Sequence, residues 1–148
     1  FSLDASINVT VTVGVSNPKR DELQELVDRH SNGRVLVDAQ NMAELMSASD
    51  IAIVAAGSTS WELAYMGVPA LLSTVADNQI RIAEQLAKSG AAINLGRVEN
   101  LSSKVLLEQL IRLIENSDIR ESMSRTGQEL IDGKGASRVV AEMLSLIQ

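Results

Sequence analysis

Short β-branched or apolar runs alternate with helical patterns through the first two-thirds of the chain, and no other feature restricts the fold as strongly. Residues 7–14 (INVTVTVG) alternate Ile and Val with small polar residues, the period of a strand. Asn17-Pro18 predicts a helix start with Pro18 at the first helical position. Leu23, Leu26 and Val27 would face inward, and Ser31-Asn32-Gly33 would stop that helix. Residues 34–37 (RVLV) read as a second strand, and Asn41 can cap a short helix carrying Met42, Leu45 and Met46. Residues 50–55 form a third strand, so nearly apolar that burial on both faces is expected. Residues 69–75 give a fourth, where Pro69 is tolerated at the first position. Asp77 can cap the next helix, with Ile80, Ile82, Ala83, Leu86 and Ala87 inside and Gly90 at its end. Residues 91–95 make a short fifth strand, and three helices follow over about 101–114, 117–131 and 137–147. This order predicts an α/β fold: a Rossmann-like three-layer sandwich, one parallel sheet of five to six strands with helices on both faces. At 148 residues, 45% hydrophobic and mean hydropathy +0.09, the chain is expected to form a single domain over 1–148.

In open parallel sheets, ligands bind outside the carboxyl ends of the strands. Gly14, Ala39 and Gly57 follow the first three strands there. The turn at Gly57 is the most informative, because it joins an apolar strand to a helix through Ser58, Thr59 and Ser60. Unpaired N–H groups of a first helical turn and the helix dipole favour an anion, and three hydroxyls add donors. Glu62 lies four residues beyond Ser58, on the same side of the helix. A carboxylate there is badly placed to hold phosphate and well placed to accept hydrogen bonds from sugar hydroxyls. Diphosphate at the turn and ribose at Glu62 is one reading. The same residues also fit a plain corner, with Gly57 making a tight turn, a serine capping the helix and Glu62 solvated in its first turn. Trp61 and Tyr65 flank Glu62. Asp77-Asn78-Gln79 opens the next helix after the fourth strand; it is a simple cap by Asp77, or its amides reach a sugar or phosphate.

Composition removes several function classes. A net charge of −6 and a pI near 4.8, with no basic stripe, argue against nucleic acid as a partner. The chain has no Cys, and its single His, His30, reads as a surface residue at a helix end. Neither a metal nor a cofactor is expected. No stretch approaches the roughly 18 apolar residues of a membrane span, no signal peptide is visible, and a cytoplasmic protein is expected. Gly127…Gly133-Lys134-Gly135 departs from a phosphate loop in spacing and in the residue after the lysine, and reads as a loop between helices. Gly14-Val15-Ser16 lacks the glycines of a dinucleotide fingerprint.

Five segments run in order over about forty residues: Asn41 to Met46, Ser49 to Ile53, Gly57-Ser58-Thr59-Ser60-Trp61-Glu62, Gly67-Val68-Pro69 and Ala76-Asp77-Asn78-Gln79. This set closely resembles the C-terminal domain of the UDP-sugar hydrolases of pseudaminic acid biosynthesis and the related spore coat polysaccharide proteins. It is also similar to the C-terminal half of the glycosyltransferase that adds N-acetylglucosamine to the peptidoglycan lipid precursor. These families share the two-domain glycosyltransferase B (GT-B) fold. The resemblance covers nearly the whole chain and is strongest from residue 37 to residue 96.

The resemblance implies roles. Gly57, Ser58, Thr59 and Ser60 would hold the diphosphate and Glu62 the ribose hydroxyls. The main chain at Asp38 and Ala39 would read uracil, Asn78 and Gln79 would face the sugar, and Gly14 and Ser16 would line the cleft. The ligand would be UDP or a UDP-sugar. The family usually carries a second glycine before Gly57, where this chain has Ala56. In the hydrolases an N-terminal domain supplies the catalytic His, which His30 does not match, so no catalytic residue is identifiable. The chain is therefore expected to be the nucleotide-binding half of an enzyme that hydrolyses a sugar–nucleotide bond. The other half would be a missing N-terminal domain in cis or a partner chain in trans. Two alternatives are the donor domain of a glycosyltransferase and a non-catalytic nucleotide-binding subunit.

Overall fold

The computed structural model describes residues 7–30 and 32–147. The chain divides into two compact units, residues 1–42 and residues 43–148. In the first, β1 (Val9–Val13) and β2 (Gly33–Val37) pair in parallel, from Val9 opposite Gly33 to Val13 opposite Val37. Helix α1 (Arg20–Asp28) connects them and packs on β2. Gly33 permits that packing: a Cβ there would lie 2.6 Å from the Val27 Cγ1 and 2.8 Å from the Val27 carbonyl oxygen. The helix begins at Arg20, not at the expected Pro18. Asn17 holds a turn instead, accepting from the Lys19 N–H at 2.9 Å through its side chain, and this delays the first helical residue. The expected stop includes Ser31, outside the described residues. His30 is half-buried, not a free surface residue, and its Nε2 lies 3.2 Å from the Ile7 carbonyl oxygen. A carbonyl only accepts, so that nitrogen carries the proton.

Helix α2 (Met42–Ser47) leads into the second unit. There β3 (Ala52–Ala55), β4 (Ala70–Thr74) and β5 (Ala92–Arg97) form a parallel sheet in the order β3-β4-β5. Helix α3 (Thr59–Met66) joins β3 to β4. A single 3-10 turn (Asp77–Gln79) and α4 (Ile80–Ser89) join β4 to β5. Gly67 and Gly90 end α3 and α4 with φ of 73° and 86°, the left-handed conformation glycine adopts without penalty. Helices α5 (Ser103–Glu115), α6 (Ser117–Leu130) and α7 (Gly135–Ser145) complete the chain. Ser102 caps α5 by accepting from the Val105 N–H at 3.3 Å.

The core of this unit lies on β4. Leu71 and Leu72 are both fully buried, and neighbours on a strand point to opposite faces, so both faces of the sheet are covered. Leu71 packs with Leu113 of α5 and Met123 of α6, with Ile93, Leu95 and Leu110 around them. The parallel α/β architecture thus stands as expected, but the expected single sheet of five to six strands does not. Among the described residues the strands form one two-stranded and one three-stranded sheet. Alternating side chains report which face of a strand is buried, and say nothing about which strands pair. For the same reason the strand covered on both faces is β4, and not residues 50–55. β3 is an edge strand whose burial alternates, with Ile53 50% exposed.

Gly133 and Lys134 lie in the expected loop between α6 and α7, and Gly127 lies inside α6, within the helix expected over 117–131. The apolar stripe of α7, Val139, Val140, Met143 and Leu144, is exposed in this structure. No helix among the described residues is long and apolar enough to cross a membrane.

Candidate functional site

The carboxyl ends of β3, β4 and β5 are level, because Ala55 pairs with Ser73 and Thr74 with Arg97. The segments leaving that edge carry the candidate residues of the second unit. After β3 the Ala56 N–H still bonds the Ser73 carbonyl at 2.8 Å, and the chain then folds back sharply, with the Gly57 N–H on the Ala55 carbonyl at 2.7 Å. The Ser60 N–H bonds the Gly57 carbonyl at 3.1 Å. Those of Trp61 and Glu62 bond the Ser58 carbonyl at 2.9 and 3.4 Å. The N–H groups of Ser58 and Thr59 have no main-chain acceptor among the described residues. They are the open donors at the start of α3, where the helix dipole is positive.

The three hydroxyl residues of the turn differ. Ser58 occupies the position before the helix, is exposed, and makes no capping bond with its side chain. Thr59 is half-buried. Ser60 is 2% exposed and its Oγ has no hydrogen-bond partner, so its hydroxyl faces the interior instead of offering a surface donor. Gly57 has an unexpected character. Its φ is not positive, and a Cβ built on it meets nothing within 4 Å. Nothing in the folded chain therefore requires glycine there. Ala56 is completely buried, so its methyl group belongs to the core and leaves the turn open.

Glu62 is exposed on the first turn of α3, with no ion pair or hydrogen bond from its carboxylate among the described residues. Trp61 beside it is half-buried and Tyr65 exposed. Asp77 does not cap a helix. It forms an ion pair with Arg97, the last residue of β5. Gln79 accepts from the Val75 N–H at 2.9 Å through Oε1, which braces the loop after β4 and leaves its NH₂ group free. Asn78 is exposed. Sequence reasoning missed Arg97; its signal was a basic residue directly after Gly96 at the end of a strand.

In the first unit, Gly14 follows β1 and Asp38 follows β2, and the structure brings them to one edge through the Asp38 N–H on the Val13 carbonyl at 2.8 Å. Asp38 has a φ of 53°, the only positive value at a non-glycine residue among those described. Gln40 donates from Nε2 to the Asp38 carbonyl at 3.0 Å, which supports this conformation. Ser16 is exposed and Ala39 half-buried, and a Cβ on Gly14 meets nothing within 4 Å. No group of three or more His, Cys, Asp or Glu among the described residues could hold a metal ion.

Residues 2–139 match the glycosyltransferase family 28 C-terminal domain. The spore coat polysaccharide biosynthesis protein SpsG of Bacillus subtilis (strain 168) is 30% identical over 141 residues, covering 95% of this chain and 42% of that protein. A Salinibacter ruber protein is 30% identical over 131 residues, 85% of this chain and 35% of its own. It is named UDP-N-acetylglucosamine--N-acetylmuramyl-(pentapeptide) pyrophosphoryl-undecaprenol N-acetylglucosamine transferase. Among solved structures, Acinetobacter baumannii MurG superposes with a TM-score of 0.75 at 22% identity, over 95% of this chain and 42% of that one. WaaG, a glycosyltransferase of lipopolysaccharide biosynthesis, gives 0.69 at 22% identity, over 86% and 34%. The chain thus spans less than half the length of these relatives, and the structural likeness places its fold among the C-terminal halves of GT-B proteins.

Proposed function

The chain belongs to the glycosyltransferase family 28 C-terminal domains, and from that membership we propose that it is the donor-binding part of a glycosyltransferase, taking the nucleotide of a UDP-sugar at the turn between β3 and α3. The observation that carries the reading is Gly57. A glycine that the folded chain does not need, beside two open N–H groups, is what a backbone approached closely by a ligand requires.

On this reading the Ser58 and Thr59 N–H groups bind the diphosphate, with the Ser58 hydroxyl beside them. Glu62 accepts from the ribose hydroxyls with a carboxylate free of other partners. Within the second unit Asn78 and the Gln79 amide NH₂ meet the sugar; for the first unit the family resemblance alone assigns uracil to the main chain at Asp38 and Ala39 and the approach to Gly14 and Ser16. In the transfer an acceptor hydroxyl bonds to C1 of the sugar while the bond from C1 to the β-phosphate oxygen breaks, and UDP departs carrying that electron pair. Open N–H groups at a helix start stabilise the charge that grows on the leaving diphosphate. The acceptor, and the base that takes its proton, are assigned to a further domain or a partner chain, in keeping with the share of its relatives that this chain spans.

Transfer is preferred here to the hydrolysis expected from the sequence, because the relative whose name states a reaction is a transferase. Calorimetric titration with UDP, uridine, CDP and GDP tests the binding. UDP is expected to bind at least about tenfold more tightly than uridine, as charge-assisted hydrogen bonds to the diphosphate imply. Equal affinity for UDP and uridine would remove the turn from the site, and equal affinity for all three diphosphates would remove the uracil contact.

A further inference from the structure

Residues 55–62, 74–79 and 96–100 leave the carboxyl edge of the three-stranded sheet, and Arg97 is the one basic residue among them. The chain makes a special effort to place it. Leu72 of β4 pairs with Asn94 of β5 and Thr74 with Arg97, so two steps on β4 oppose three on β5. The extra residue is a bulge built on Gly96, whose φ is 80°, and Asn94 fastens it by accepting from the Gly96 N–H at 2.8 Å. One inserted residue turns every later side chain to the other face, so the bulge decides where the Arg97 guanidinium goes. It goes to Asp77, at the start of the 3-10 turn that carries Asn78 and Gln79. Neighbouring strands lie about 4.8 Å apart, which puts Arg97 about 10 Å across the sheet edge from the end of β3.

Asp77 is largely exposed and Arg97 partly so, and an ion pair in that setting contributes little to stability. A bulge, a left-handed glycine and a side-chain brace are a large investment of local structure for so weak a pair. We propose that Arg97 is a second phosphate-binding residue of this site, held by Asp77 in the free protein and passed to a phosphate oxygen of the nucleotide-sugar when it binds. The inference rests on the proposed donor site and adds to it the one cation an acidic protein needs to hold a diphosphate. A guanidinium grips two phosphate oxygens at once, so it contributes where the hydrogen-bond donors of the turn do not reach. Asp77 keeps that guanidinium placed over the loop and lowers the affinity for adventitious anions, because any ligand must displace it.

The test sets two substitutions in the full chain against each other, with uridine, UMP and UDP as ligands in calorimetry. Arg97→Gln is expected to reduce UDP affinity about tenfold and leave uridine affinity unchanged, the effect of losing a charge-assisted contact. Arg97→Lys keeps the charge without the fork and should fall between. Asp77→Asn frees the guanidinium and is expected to tighten UDP binding about two- to fivefold, the range an exposed ion pair spans. Opposite signs for Arg97→Gln and Asp77→Asn support the exchange. A pair that only braces the loop predicts that both weaken binding, and that result, or no change in either, overturns it while leaving the donor site intact. Unmodified chain that binds UDP no better than uridine overturns the donor site as well. Thermal melting of each variant confirms that the fold is retained.

Discussion

Gly127 of α6 meets Ala64 of α3 backbone to backbone: a Cβ on the glycine would stand 2.7 Å from the Ala64 carbonyl oxygen and 3.1 Å from its Cα. This contact fixes how closely the helix bearing Glu62 approaches its neighbour, and hence links packing in the interior to the position of the turn at Gly57. Gly67, at the end of α3, faces the side chains of Ser124 and Gln128 of α6.

Gly127→Ala is therefore expected to destabilise the protein. Alanine gains about 1 kcal/mol over glycine in a helix interior, but forcing an extra carbon into a filled interface costs about 1–3 kcal/mol. The atoms it meets are main chain and cannot rotate away, so the cost prevails. Denaturant unfolding should show a lower midpoint. Ala64→Gly should not rescue the variant, because the clash is with the Ala64 backbone; a full rescue would contradict the geometry.

Gly57→Ala should act in the opposite sense on stability. The backbone there accepts an L residue and the space is open, so the loss of unfolded-state freedom raises stability by about 0.4–1 kcal/mol. UDP binding should fall about tenfold or more, since the methyl group occupies the ligand's approach. Unchanged affinity in titration would separate Gly57 from the ligand.

Glu62→Ala isolates the ribose contact. If the carboxylate accepts from both ribose hydroxyls, UDP binding should weaken by about 1.5–3 kcal/mol. Stability should move by no more than about 0.3–1 kcal/mol, the contribution of a first-turn acid to the helix dipole. The 2′,3′-dideoxy analogue of UDP should bind the unmodified chain poorly and lose little further on mutation. If it binds as well as UDP, Glu62 does not read the ribose.

Asp132 makes the anchoring of α7 sensitive to acid. The hydrogen bond from Arg138, 2.6 Å from Oδ2, and the Lys134 N–H at 2.9 Å hold its carboxyl below the usual carboxylate range. The folded value lies below the unfolded one, so the stabilisation is complete above the ordinary carboxylate range. It is lost as the pH falls through the lowered folded value. Amide exchange over residues 132–138 should accelerate in that acid window, and Asp132→Asn should flatten the dependence. Exchange insensitive to pH, after correction for intrinsic rates, would count against the anchor.

Much of this molecule is readable from local chemistry. All five strands lie within one to two residues of where β-branched and apolar runs put them, and α6 spans Ser117–Leu130 against an expected 117–131. The left-handed endings at Gly67 and Gly90 follow from a residue type whose preference holds in any context. Tertiary structure decided what depends on distant partners. Strand pairing put Ile53 on an edge and Leu71 and Leu72 at the centre, although the run at 50–55 is the more apolar of the two, because burial comes from neighbours that a strand's own residues do not name. A bulge at Gly96 took Asp77 from a helix cap and gave it to Arg97, twenty residues on. Packing turned the Ser60 hydroxyl inward while leaving Ser58 in solvent. Local pattern specifies the backbone path, because its forces act within one turn or one strand. Which polar groups remain free to meet a ligand depends on which others find partners, and that is settled only when the elements pack.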